Sequence, residues 1–281
     1  MQHLSDTYSS GENQAVLPAS DENRKEIYEW LSPPDPSVNL NDAYKKRMAG
    51  TGSWLLKSQQ YLDWKTNSNS FLWLHGIPGS GKTILSSTIV EDVLRQCLQD
   101  TRSAAAYFFF DFNNSEKQPS DRMVRSIVAQ ISRQRADMPT ALTSLFSSSK
   151  NRRQPPTTDA LSAVLQQMLQ EFGDIYIIFD ALDECTDRLE LLNVIEEIYS
   201  WEMGNLHFIV TSRKEKDIQE SFDSLVGKNK QISIQSTLVN DDIRAYVQER
   251  LRTDRQLRRW QSRSEVRQEI EDALMDKAAG M

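Results

Sequence analysis

Cysteine is nearly absent: Cys97 and Cys185 are the two in 281 residues. Two thiols without metal-ligand spacing exclude a disulfide framework, and each is expected to pack as a small apolar side chain. That usage points to a reducing compartment, most simply the cytoplasm. Long apolar runs are missing as well. No stretch nears the roughly 18 residues that span a bilayer, and the N-terminus has no signal-peptide core, so no membrane span is expected. A basic excess is also lacking. Lys and Arg number 33 against 40 Asp and Glu, a net charge of −7, which argues against nucleic acid as a partner. What remains is 38% hydrophobic and 26% charged. That suffices for one substantial α/β domain with additions and is too little for two large ones.

The informative stretch is Phe71 to Thr83, FLWLHGIPGSGKT. It reads as an apolar strand, a glycine-rich turn and the start of a helix. Gly76-Ile77-Pro78-Gly79-Ser80-Gly81-Lys82-Thr83 fits the phosphate-loop pattern G-x-x-x-x-G-K-[ST] without a mismatch, where about 0.01 chance matches are expected in a chain of this length. Glycines allow positive φ and let the backbone come close to an anion. Successive N–H groups then form a nest for phosphate oxygens at the positive end of the following helix. Lys82 would reach the β- and γ-phosphates, and the Thr83 hydroxyl would help to hold Mg²⁺. After the loop, Ile84, Leu85, Thr88, Ile89 and Val93 recur at helical spacing, and Ile84 joins Gly76 to Thr83 as part of the expected nucleotide cradle. A nucleoside triphosphate and Mg²⁺ are the cofactors this predicts.

The second informative stretch is DIYIIFDALDE, Asp174 to Glu184. Ile175 to Phe179 is a continuous apolar run, the signature of a parallel strand buried on both faces. Three acids follow at its end, Asp180, Asp183 and Glu184, where unpaired buried charge is costly. A metal ion resolves that cost: Asp180 would hold Mg²⁺, and Asp183 or Glu184 would orient the attacking water. A further buried strand, LHFIVTSR, ends in Arg213, which is either a sensor of the γ-phosphate or a surface arginine.

The rest of the chain supplies context. Residues 1 to about 20 are polar and Ser-rich and read as disordered. Glu22 to Leu31 predicts a helix, which Ser32-Pro33-Pro34-Asp35-Pro36 ends. Gly50-Thr51-Gly52-Ser53 turns into WLLKSQQYLDW, where Trp54, Leu55, Ser58, Tyr61, Leu62 and Trp64 share one helical face, either beside the nucleotide base or over the sheet edge. AAAYFFFDF predicts a strand with Asp111 at its end, in a turn or near the metal's water shell. Helices are predicted from Pro119-Ser120-Asp121, with Val124, Ile127, Val128 and Ile131 inward, and from a cap at Thr158 or Asp159. KNRRQPPTT between them is a basic surface loop. Leu189 to Trp201 is another amphipathic helix, Gln231 to Gln235 the last strand, and Asn240 or Asp241 the cap of DDIRAYVQERL. From Arg252 on the chain is charged and helical, and ALMDKAAGM carries no stop signal.

LSPPDPSVN, GTGSWLL, FLWLHGIPGSGKTILSSTIVED, YFFFDFN, IYIIFDALDEC, FIVTSR and VNDDIRAYVQERL, in that order from about residue 24 to 251, resemble the NACHT family of signal-transducing P-loop NTPases. The variety is that of fungal NACHT proteins and the nephrocystin-type N-terminal module. A small residue after the metal aspartate, Asp180-Ala181-Leu182-Asp183-Glu184, separates this group from motor ATPases. The resemblance implies an α/β three-layer P-loop sandwich with a mostly parallel five-stranded sheet, the TSR strand lying between the loop strand and the metal strand. It implies four parts: an N-terminal arm (1–40), a helical adapter beside the nucleotide (41–70), the NTPase core (71–236) and the start of a helical domain (237–281). It implies a slowly hydrolysing switch of innate-immunity or heterokaryon-incompatibility receptors that homo-oligomerises with triphosphate bound. Ankyrin or WD repeats are expected in the full-length protein. Lys82 and Thr83 take the phosphate and Mg²⁺ roles, Asp180 the metal, Asp183 and Glu184 the water, and Arg213 the sensor. No Asn-Lys-x-Asp guanine motif occurs, which favours ATP, although relatives of this fungal type have been linked with GTP.

Two other readings share the motifs. An energy-transducing AAA+-like ATPase would need fast turnover and a finger arginine, for which Arg122 and Arg125 are candidates. A scaffold would bind nucleotide for structure alone. A kinase is disfavoured by the lack of a second substrate site.

Overall fold

Five short runs rich in β-branched, aromatic and small apolar residues build the centre of the molecule. A computed structural model of the chain describes residues 21–149, 154–225, 230–234, 237–254, 257, 260 and 263–279. Strands β1 (Ser70–His75), β2 (Ala104–Phe109), β3 (Ile175–Asp180), β4 (Leu206–Ser212) and β5 (Gln231–Ser233) lie in the order β2-β3-β4-β1-β5. Every pairing is parallel. β3 and β4 are buried along their whole length, as parallel strands covered on both faces must be. β4 lies between the strand that feeds the phosphate loop and the strand that ends in Asp180. The fold is that of an α/β P-loop NTPase.

Alternation along the strands separates two cores. Phe71, Trp73, Phe108, Ile177, Phe179 and Phe208 face one way. They meet α6 (Ser120–Arg133), α8 (Thr158–Leu169), α9 (Arg188–Ser200) and α10 (Lys216–Leu225). The rim of this layer is α1 (Asp21–Leu31) with α7 (Thr140–Ser148), joined by an edge-on Trp30–Phe146 ring contact at 5.4 Å. Leu72, Leu74, Tyr176, Ile178 and Ile209 face the other way. They are covered by α5 (Lys82–Gln99), α2 (Ser37–Lys46), α3 (Ser53–Leu56) and α4 (Gln59–Thr66). Helices on both faces of one sheet make three layers. Beyond the sheet, α11 (Thr237–Thr253) and α12 (Ser264–Ala279) pair through buried Glu271, which accepts bonds from Arg244 at 3.2 Å and Gln248 at 3.0 Å.

Several local expectations are corrected. WLLKSQQYLDW is two helices, not one. Ser58 takes an extended ψ of 145°, and its hydroxyl accepts from the Tyr61 N–H at 3.2 Å, capping α4; a serine so placed competes with the helix it interrupts. Leu62, expected on the inner face, is 44% exposed. The cap of α8 is Thr157 rather than Thr158 or Asp159. α11 begins at Thr237, so Asn240 and Asp241 lie within it and cap nothing. The last strand ends at Ser233, and Gln235 falls outside the described residues. So do the N-terminal arm through residue 20 and residues 150–153 of the basic loop. α7 had no counterpart in the sequence reading.

Arg125, one of the two finger candidates, is buried. It donates to the carbonyls of Leu31 at 3.2 Å and Pro156 at 2.9 Å and pairs with Asp121 at 3.0 Å. This guanidinium ties α1 and the segment before α8 to α6, and it has no reach to a second molecule. Arg122 is held at Glu116, 3.1 Å away. Truncating Arg125 leaves two buried carbonyls short of donors, at about 1–3 kcal/mol each. Arg125→Ala is therefore expected to lose roughly 2–4 kcal/mol in urea unfolding; a loss under about 0.5 kcal/mol would show that α1 is held by its apolar face alone.

Candidate functional site

The phosphate loop leaves β1 at His75, where the Gly76 N–H still bonds the Ser212 carbonyl at 3.2 Å. Gly79 and Gly81 take left-handed φ values of 79° and 86°, which L side chains resist. Gly81 is the N-cap of α5 and offers no side-chain oxygen to the first turn. The helix's leading N–H groups thus keep their positive end open to an anion. The Ser80 hydroxyl is buried within the loop without a hydrogen-bond partner among the described residues. Lys82 Nζ folds back on the loop, donating to the carbonyls of Gly76 at 2.8 Å and Ile77 at 2.9 Å. Burial holds its ammonium below the ordinary lysine value, while Asp183 and Asp180 pull the other way.

Asp180 ends β3 and is fully buried. Three hydroxyls converge on it. Thr83 donates to Oδ2 at 2.7 Å, and Ser86 and Thr211 donate to Oδ1 at 2.6 Å each. Burial still outweighs these bonds and raises its pKa above the ordinary 3.8. Ala181 then adopts a left-handed φ of 59°, a sparsely populated region for a residue with a side chain. Its N–H bonds the Thr211 hydroxyl at 3.0 Å. A tight 3₁₀ turn, Leu182–Glu184, follows.

The other acids are placed differently. Asp183 accepts the Arg213 backbone N–H at 2.9 Å and pairs with Arg213 Nε at 3.0 Å. Glu184 accepts the Phe112 N–H at 3.0 Å. Burial raises its pKa, the Phe112 bond opposes that, and Asp183, Asp111 and Asp180 add to it. Asp111 serves the turn: Oδ1 accepts the Asn113 N–H at 2.9 Å, and Oδ2 accepts the Asn39 amide at 3.0 Å. Lys82, Thr83, Asp183, Glu184, Asp111 and Arg213 nonetheless line one cavity of about 490 Å³, roofed by α2.

A second cavity of about 410 Å³ adjoins it across Gly79, Ser80, Gly81 and Ile84. Met48, Trp54, Leu85, Ile243 and Tyr246 give it apolar walls. The face assigned to WLLKSQQYLDW therefore divides. Trp54 lines this cavity, whereas Tyr61 and Trp64 are buried against the sheet. The loop geometry, the orphan Ser80 hydroxyl and the Lys82, Thr83 and Asp180 donor set suit a magnesium-bound triphosphate. Among the described residues no three His, Cys, Asp or Glu side chains form a cage of their own.

Ser86 and Thr211 were not anticipated. Both were legible in principle: Ser86 lies one helical turn beyond Thr83, and pairing of Phe179 with Val210 puts Thr211 beside Asp180. The two cysteines act structurally. Cys185 is buried with its thiol donating to Asp187 at 3.2 Å, and Cys97 is partly buried.

Known proteins place these features in context. The chain matches the family described as Nephrocystin 3, N-terminal, over residues 50–213. It is 25% identical over 205 residues to Vegetative incompatibility protein HET-E-1 of Podospora anserina, an alignment covering 70% of this chain. The chain spans 15% of that relative's length. Solved structures with some likeness include Cdc6p from Pyrobaculum aerophilum, at 15% identity and a TM-score of 0.43, covering 79% of this chain and 52% of that one. A DNA replication initiation factor has 11% identity and a TM-score of 0.43, covering 82% and 57%.

The raised value of Asp180 fixes the sign of a pH effect. The folded state binds this proton more readily than the unfolded chain, so the stability linked to it is present below pH 3.8 and is lost as pH rises through the raised folded value. Asp180→Asn removes the buried charge and keeps the shape. In buffer free of nucleotide and metal its melting temperature is expected to exceed that of the wild type near pH 8, with the gap closing as pH falls. A lower melting temperature at pH 8 would mean that the three hydroxyl bonds outweigh the burial.

Proposed function

Because this chain belongs to the Nephrocystin 3 N-terminal family, a NACHT-type P-loop NTPase module, we propose that it is a nucleoside-triphosphate switch that hydrolyses slowly. The single observation that carries the reading is the 2.7 Å bond between the Thr83 hydroxyl and the Asp180 carboxylate, 97 residues apart in the chain. It brings the two expected Mg²⁺ ligands to one point at the end of the phosphate loop.

The roles follow from the donors. Backbone N–H groups of Gly79, Gly81, Lys82, Thr83 and Ile84 cradle phosphate oxygens, and Lys82 exchanges the loop carbonyls for the β- and γ-phosphates. Thr83 and Asp180 would hold the metal, which would supply neutralisation of the charge on the terminal phosphates. Asp183 or Glu184 provides the acid that orients water, and Arg213 answers to the γ-phosphate. The apolar cavity walled by Trp54, Met48 and Tyr246 suits a purine ring, and ATP is the favoured nucleotide, with GTP the alternative. The fungal relative's name ties it to vegetative incompatibility, and a signalling receptor of that kind that homo-oligomerises with triphosphate bound is the setting we infer here.

Lys82→Ala removes charge-assisted bonds to phosphate and is expected to weaken Mg-triphosphate binding about 10- to 150-fold, or roughly 1.5–3 kcal/mol. Titration of a fluorescent triphosphate checks this, and unchanged affinity would dismiss the phosphate-loop reading. Steady-state turnover of the full chain is expected below about one per second with either ATP or GTP. A faster rate would favour an energy-transducing ATPase.

A further inference from the structure

The two acids after Asp180 are arranged for different work. Asp183 engages Arg213 with both carboxylate oxygens: Oδ1 takes the backbone N–H at 2.9 Å and Oδ2 the Nε–H at 3.0 Å. Its side chain is only 5% exposed, which leaves little access for water. The Arg213 side chain is 45% exposed. Glu184 has only one oxygen, Oε2, engaged, on the Phe112 N–H; both acids line the phosphate cavity with Lys82 and Thr83.

Arg213 also stands on a boundary. It lines the phosphate cavity and a further one of about 780 Å³ at the ends of β1, β4 and β5, where His75 and Lys214 are its neighbours. A half-exposed guanidinium between two cavities can move with little repacking. The pair is open to solvent on the guanidinium side only, and a phosphate offers that guanidinium a competing two-point, charge-assisted contact. The backbone bond from Arg213 to Oδ1 does not depend on the guanidinium, so Asp183 stays anchored when the side chain leaves.

We propose that Asp183 is a positioning residue that holds Arg213 in a parked place, that the terminal phosphate of a bound triphosphate competes for the same guanidinium, and that Glu184 alone is the acid that orients water. The inference rests on the nucleotide-switch reading and deepens it. Asp183 becomes part of how the site distinguishes triphosphate from diphosphate, since diphosphate lacks the group that competes.

The test is a double-mutant cycle on the full chain. Affinities for Mg²⁺ with a non-hydrolysable triphosphate and with diphosphate are measured for wild type, Asp183→Asn, Arg213→Gln and the double variant, with single-turnover hydrolysis for Asp183→Asn and Glu184→Gln. Asp183→Asn is expected to raise the triphosphate-to-diphosphate affinity ratio about 5-fold or more. Arg213→Gln lowers the ratio, and adding Asp183→Asn to it then changes the ratio by less than about two-fold. Glu184→Gln acts on the rate, lowering single-turnover hydrolysis about 100-fold or more. Three results overturn the proposal: a ratio unmoved in Asp183→Asn, a shift of equal size with and without Arg213, or a hydrolysis rate in Asp183→Asn as low as in Glu184→Gln. Should Asp183→Asn fail to fold, the half-exposed Arg213→Gln decides alone: an unchanged ratio overturns the proposal and a lowered one supports it. Wild-type protein that binds neither nucleotide overturns the switch reading as well, whereas a flat ratio with intact binding overturns the parking of Arg213 only.

Discussion

A carboxylate buried at the end of the central sheet is the constraint on which the rest depends. Asp180 sits where water is excluded, and a charge there is tolerated only with donors on every side. Those three donors come from two elements. Thr83 and Ser86 project from the first turns of α5, and Thr211 projects from the next strand. Their convergence requires α5 to start where it does, β4 to lie beside β3 in its observed register, and the loop between β1 and α5 to turn tightly enough to bring Thr83 down onto the sheet. Phosphate loop, Asp180 and the end of β4 are thus one structure. The same arrangement makes Asp180 costly in the unliganded protein and suited to a cation. A site that spends folding stability to hold a charge ready is a common trade at functional centres.

The strand order explains why Arg213 belongs to this centre. β4 separates β1 from β3, so its C-terminal end lies between the phosphate loop and the acid turn. The last two residues of β4 and the residue that follows them each have a task. Thr211 bonds Asp180, Ser212 accepts the Trp73 indole N–H at 2.8 Å, and Arg213 meets Asp183. The left-handed backbone at Ala181 turns Asp183 and Glu184 sideways from the strand axis, one toward β4 and one toward Phe112 beyond β2. Acids that are neighbours in the sequence thereby face different partners.

Most of the sheet was legible because its strands are apolar on both faces, and continuous runs such as Ile175 to Phe179 have few other uses. The phosphate loop was legible because an anion nest needs glycine and lysine at fixed spacing. What escaped depended on contacts that no local pattern carries. Ser58 was read as one more helical position, yet its hydroxyl reaches the Tyr61 N–H and splits the helix. Arg125 looked available from sequence, but the carbonyls of Leu31 and Pro156 that hold it are 94 and 31 residues away. Asn240 and Asp241 have the chemistry of caps, and α11 starts at Thr237, before either of them. Within the site, Asp183 and Glu184 looked equivalent, because what separates them is a strand 30 residues downstream in one case and a turn 72 residues upstream in the other.

The apolar cavity beside the phosphate loop shows how the flanking segments are tied to the core. Its walls come from the chain before β1 and from α11, which are far apart in sequence. Gly52 joins them. Its φ of 79° opens α3, and a Cβ there would stand 2.9 Å from Leu85 Cδ2, so glycine permits the close approach to α5. Its N–H bonds Asp242 of α11 at 2.7 Å. One residue without a side chain therefore contacts the helix that starts at the phosphate loop and the helix that leads away from the core. Arg47 adds a second tie, bonding Thr88 at 3.2 Å and pairing with Glu91, both on α5. The segment before β1 is thus held to α5 directly, and α11 is tied to that segment through Gly52.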